Sequence, residues 1–179
     1  MQPAARLMLG FCIIAVLGLT ENDGRADDTP PHRTVHLTYF NTQWGKNVTP
    51  FVPVVCYDDG SCRGAQYQTS IDEGDWNADV VAYVQWFWPG PSTTVLRWSI
   101  TEVQRGTMKE CGTGTLEAAG SGTFDFATGI TQGNIVLTGV AGDLADMTGT
   151  ETVGPGVQDS QGNIIAQPAV ATVKCRKDQ

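Results

Sequence analysis

Apolar and polar residues alternate along much of this chain with a period of two, the repeat of a half-buried strand. The clearest run is residues 79–89, DVVAYVQWFWP. Val80, Ala82, Val84, Trp86 and Trp88 fall on one face; Val81, Tyr83, Gln85 and Phe87 fall on the other. The first set is wholly apolar and is expected to face the core. Pro89-Gly90-Pro91 stops the strand, because proline cannot donate to a ladder. Residues 93–104 read as the hairpin partner, with Leu96, Trp98, Ile100 and Glu102 opposite Val95, Arg97, Ser99 and Thr101. The Leu96, Trp98 and Ile100 face is expected to meet Trp86 and Trp88 across the interior.

Weaker alternation marks other strands. In residues 34–40, Val35, Leu37 and Tyr39 alternate with Thr34, His36, Thr38 and Phe40. Residues 51–57 form a second strand, which Pro53 marks as an edge or a strand start. Asp58-Asp59-Gly60-Ser61 is a turn, and Asp-Gly is a strong hairpin signal. Residues 63–70 return as a polar strand, and residues 168–175, PAVATVKC, form the last. Residues 41–50, 71–78 and 154–167 are expected to be loops. Asn47-Val48-Thr49 is a glycosylation sequon by pattern.

Residues 111–153 are rich in glycine and threonine. Glycines recur there too often for a helix, where each costs about 1 kcal/mol relative to alanine. In a sheet they mark turns, bulges and tight bends. No segment after the leader described below holds helical periodicity over several turns. The predicted fold is all-β: a small antiparallel β-barrel of about eight strands, with a β-sandwich as the alternative.

Within the glycine-rich region, residues 138–150 read TGVAGDLADMTGT. They resemble a signature of the small antiparallel barrels related to allene oxide cyclases and dirigent proteins, G-G-T-G-x-F-x-x-A-x-G. They are more similar to the G-T-G-x-L-x-x-x-T-G form of some bacterial barrel proteins of unknown function. Gly142, Leu144, Thr148 and Gly149 match the second form, and Gly139 fits the first; Val140 and Ala141 depart from both. The resemblance implies a barrel whose strand turns sharply over one end while Leu144 plugs the core. It implies an isomerase activity as one functional reading, and it carries no catalytic residue over.

Residues 1–26 read as a cleaved signal peptide, with Arg6 before a short apolar run and Gly24-Arg25-Ala26 offering small residues at the cleavage site. A single domain, residues 27–179, would follow, secreted or periplasmic. Of five cysteines, Cys12 lies in the leader. The remaining four allow three pairings, and the expected one is Cys56–Cys62 with Cys111–Cys175. The first closes the DDGS turn; the second ties the last strand to the middle of the barrel. The spacing matches no zinc motif, so no metal and no cofactor are expected.

The net charge is −8, and no basic cluster is present, which argues against nucleic acid. No membrane association is expected once the leader is gone. His32 and His36 are the two histidines, and there is no G-x-S-x-G, so a hydrolase triad has no support. Asp72, Glu73, Asp75 and Asp79 lack a calcium-loop spacing and read as a solvated loop. Asp143 and Asp146 read as capping residues of a tight turn, with acid–base work as the alternative.

Three functions stay open. The first is a non-catalytic exported barrel that holds a small apolar molecule or serves as a structural module. The second is a cyclase- or dirigent-like isomerase, with Tyr83, Arg97 and Glu102 as candidates at an open barrel mouth. The third is a surface module in which Trp44 and Trp76 stack on a glycan or a partner.

Overall fold

The computed structural model describes residues 31–47, 52–161 and 164–176. The strands are β1 (His32–Asn47), β2 (Val52–Cys56), β3 (Cys62–Gly74), β4 (Trp76–Trp88), β5 (Val95–Met108), β6 (Gly112–Asp125), β7 (Ile130–Gly142), β8 (Thr148–Val153), β9 (Val157–Gln158) and β10 (Ile164–Arg176). Neighbours are antiparallel throughout, in the order β1-β10-β8-β7-β6-β5-β4-β3-β2. β1 also pairs with β3, from Tyr39↔Gly74 to Asn47↔Gln68, and that pairing closes the sheet. The ring therefore consists of β1, β3, β4, β5, β6, β7, β8 and β10, with β2 on β3 and β9 on β10 as flaps. The expected barrel is found, and closure rather than strand content separates it from the sandwich. The leader lies outside the described residues.

The two ends of the barrel differ. At one end stand the β3–β4, β5–β6 and β7–β8 turns, and here the interior is solid. Trp76, Met108, Leu116, Leu137, Leu144, Met147 and Val173 are almost completely buried. Burying each such side chain is worth about 1.5–3 kcal/mol. Leu144 plugs this end as its motif implied. A Cβ on Gly139 would stand 1.6 Å from the Leu144 carbonyl oxygen, so only glycine lets the turn fold over the strand. Gly142 takes a left-handed φ of 71° at the bend. Cys111–Cys175 joins the β5–β6 turn to β10 beneath this plug, and Cys56–Cys62 ties β2 to β3, both as expected.

Three predicted loops are corrected. β1 runs on to Asn47, β3 and β4 are separated by Asp75 alone, and β10 begins at Ile164. The missed strand segments carry polar residues such as Asn41, Asp72 and Gln167 on inward positions. The barrel interior is polar there, so the apolar–polar alternation that announces a strand is lost although the ladder continues. A second correction concerns the tryptophans. Trp86 and Trp98 are register partners on the adjacent β4 and β5, not facing residues across the interior.

Candidate functional site

The other half of the barrel is hollow. A cavity of about 470 Å³ opens between the strands, within the roughly 300–1,000 Å³ range of small-molecule sites. The small Ala169 on β10 lines it, buried where a larger side chain would intrude. Indole rings wall it. A Cβ on Gly122 or Gly133 would fall 2.4 or 2.3 Å from the Trp98 ring, and one on Gly64 would fall 2.4 Å from the Trp86 ring. These glycines seat the two indoles against the sheet. Leu96, Phe124 and Phe126 add to the apolar rim.

The floor is polar. Asp72 from β3, Glu102 from β5 and Glu151 from β8 line it, with Asn41, Gln66, Gln68, Gln104 and Gln167 around them. Asn41 donates to Oδ1 of Asp72 at 2.7 Å and to Oγ of Ser70 at 2.9 Å. Trp76 Nε1 donates to Oε1 of Gln104 at 2.7 Å, and Nε2 of Gln104 donates to Oε2 of Glu102 at 2.6 Å. The Tyr39 hydroxyl faces Glu151 without closing a well-formed hydrogen bond. Oδ2 of Asp72, Oε2 of Glu151 and Nε1 of Trp98 are buried with no partner. Each carboxyl is thus approached from the core side, and two keep an oxygen unsatisfied.

Burial dominates the titration of this floor. It raises Asp72 from 3.8 to about 7, opposed by the bond from Asn41 and reinforced by the charge of Glu151. It raises Glu102 from 4.5 to about 8, reinforced by Glu151 and partly opposed by Gln104. Glu151 is also raised by burial, and Tyr39 is driven well above its usual value by burial and then by the charges of Glu151 and Asp72. Among the described residues no Lys, Arg or His side chain lines the cavity to offset these acids.

Comparison of the chain with models of known protein families and with curated protein sequences finds no match. The reading of the site rests on its own residues.

Of the residues expected at an open barrel mouth, Tyr83, Arg97 and Glu102, only Glu102 reaches the cavity floor. Tyr83 and Arg97 occupy the opposite parity of β4 and β5 and lie on the outer wall, in a depression with Arg63 and Phe87. They do not converge with Glu102, because odd spacing along a strand puts side chains on opposite faces. Trp76 is not in a loop: it is 1 % exposed and forms part of the solid end, closed to any sugar face. Trp44 lies within β1, and its side chain falls outside the described residues. The acidic group 72–79 disperses. Asp72 points into the bore, Glu73 and Asp79 are exposed, and Asp75 accepts from the Thr38 N–H and from Lys109 at 3.0 Å each. Asp143 accepts from the Thr113 N–H at 2.9 Å, the capping role expected of it, while Asp146 pairs with Arg176.

Glu151, Gln104 and the inward role of Asp72 escaped the sequence reading. A signal existed for Gln104. Glu102 and Gln104 continue the parity of Leu96, Trp98 and Ile100. Glu151 shares parity with the buried Val153, but β8 is too short and polar for that parity to be set by sequence.

Proposed function

We propose that this protein is an exported barrel that binds a small, largely apolar molecule inside its open half. The observation that carries the reading is the cavity of about 470 Å³, walled by Trp86 and Trp98 and floored by carboxyls, in a barrel whose other half is packed solid. The two disulfides indicate an oxidising compartment, which supports export through the leader at residues 1–26. The buried Trp76 removes one of the two rings on which a glycan-stacking role would depend.

Native mass spectrometry of the protein from its own host tests this. The intact protein is expected to carry an added mass that is lost on denaturation. A bare protein that also fails to take up small apolar molecules in calorimetry would overturn the reading.

A cyclase- or dirigent-like isomerase is the second reading. It is favoured by Asp72 and Glu102, whose values of about 7 and about 8 suit proton transfer near neutrality. An isomerase would convert a host small molecule to a product of equal mass, and Glu102→Gln would abolish that conversion while retaining uptake. Uptake with no conversion by the wild-type protein would leave the binding reading alone.

A further inference from the structure

We propose that the molecule held in the cavity is an organic cation: a protonated amine on an apolar or aromatic body, its ammonium facing Asp72, Glu102 and Glu151 and its body against Trp86, Trp98 and Phe124. This rests on the ligand-binding reading above and names the ligand class for that site.

The argument starts from what the cavity lacks. Three carboxyls from three strands share one cavity, and among the described residues no Lys, Arg or His side chain lines it. Buried acids are ordinarily paired with a cation or held by several donors. Here the donors are few. Asn41 satisfies Oδ1 of Asp72, yet Oδ2 is left bare; Glu151 keeps Oε2 bare with the Tyr39 hydroxyl unpaired beside it. Asp72 is 1 % exposed and Glu151 6 %, so bulk water screens their charges little. Among the described residues the lining offers these acids no positive charge, and an ammonium beside them supplies one.

The shape of the site argues for an organic cation over a metal ion. Among the described residues, no three acidic, histidine or cysteine groups stand close enough to hold a metal. The rim is aromatic and aliphatic, with Trp86, Trp98 and Phe124 above the acids, and indole faces attract cations as well as apolar bodies. The charge at the floor and the rings at the wall describe one amphipathic ligand with its charged head inward. Burial and mutual repulsion hold Asp72 and Glu102 protonated toward neutrality, and an ammonium beside them would favour their charged forms.

The experiment is calorimetric titration of the disulfide-intact protein with matched probes. Three bodies (phenylethyl, naphthylethyl and decyl) are each offered as the amine, the alcohol and the carboxylate. The amine is expected to bind at least about tenfold more tightly than its alcohol near pH 8, with the carboxylate weakest. That preference is expected to shrink severalfold near pH 5, where the amines stay protonated and the floor acids do not stay charged. Among the described residues the titratable groups lining the cavity are Asp72, Glu102 and Glu151, and the buried Tyr39 hydroxyl lies beside Glu151. Asp72→Asn with Glu151→Gln is expected to equalise amine and alcohol; the wild-type pH series reads the same effect if that variant does not fold. Equal binding of amine and alcohol by the wild-type protein overturns the amine and leaves the ligand-binding barrel standing. Binding by none of the probes overturns both.

Discussion

The indole N–H of Trp76 donates to Oε1 of Gln104 across 2.7 Å, and the two side chains are 1 % and 2 % exposed. This bond lies where the packed half of the barrel meets the hollow half. Indole nitrogen can only donate, so it fixes the amide with its oxygen toward Trp76 and its NH₂ toward the cavity. Gln104 then donates to Glu102 at 2.6 Å. A core residue thereby orients a cavity carboxyl through one intermediary.

Replacing Gln104 by Met keeps the volume and breaks this relay. It strands the buried Trp76 N–H, which should cost about 1–3 kcal/mol. Glu102 also loses a bond that holds its pKa down, so its titration should move further up. Urea unfolding near neutral pH measures the first effect, and carboxyl NMR titration the second. A midpoint equal to that of the wild-type protein would show that the relay contributes nothing.

Stability of the empty barrel should fall as pH rises from about 4.5 to about 8. Asp72 and Glu102 bind protons more tightly folded than unfolded, since their values rise from 3.8 to about 7 and from 4.5 to about 8. Their contribution is therefore complete below the unfolded values and is lost through the folded ones. Asp75 runs the other way: bonds from the Thr38 N–H and Lys109 lower it, so its contribution disappears only as pH drops below its ordinary 3.8. The two effects occupy separate windows. Thermal melts across this range should show the decline, and Asp72→Asn with Glu102→Gln should flatten it. A melting temperature that climbs toward pH 8 would contradict the assignment.

The disulfides should separate under mild reduction. Cys56 is exposed, whereas Cys111 and Cys175 are 1 % and 0 % exposed under the plug at the solid end. Brief treatment with a low concentration of reductant, followed by alkylation and peptide mass spectrometry, should label Cys56 and Cys62 first. Removing the inner bridge by Cys111→Ala with Cys175→Ala should cost about 4 kcal/mol on chain entropy for its separation of 64 residues. Simultaneous labelling of all four cysteines would show that the buried pair is not protected.

Gly133→Ala tests the wall of the cavity. The new Cβ would stand 2.3 Å from the Trp98 ring, so the indole must tilt into the bore. Overpacking of this kind costs about 1–3 kcal/mol. Unfolding midpoint and tryptophan emission should both shift, and uptake of any cavity ligand should weaken. The backbone here is not left-handed, so an unchanged emission spectrum would mean that the ring does not rest on Gly133.

Much of the barrel was legible without coordinates. Period-two alternation located β4, β5 and the start of β1; the Asp-Gly turn and the glycine-rich stretch announced hairpins; and the four cysteines Cys56, Cys62, Cys111 and Cys175 indicated the two bridges. Local chemistry determined these features, because strand faces, turns and glycine bends are written within a few residues. The cavity was not legible in that way. Asp72, Glu102 and Glu151 come from β3, β5 and β8, and only ring closure through the β1–β3 pairing brings them to line one cavity. Tyr83 and Arg97 look as chemically suitable as Glu102 in sequence, yet parity alone sends them to the outer wall. Trp76 follows an acidic run that reads as surface, yet the one-residue turn at Asp75 places it in the solid end beside Met108. Sequence determined the strands whose two faces differ in polarity; the closed sheet decided which polar segments join the ladder and leave water, since burial depends on what stands across the barrel.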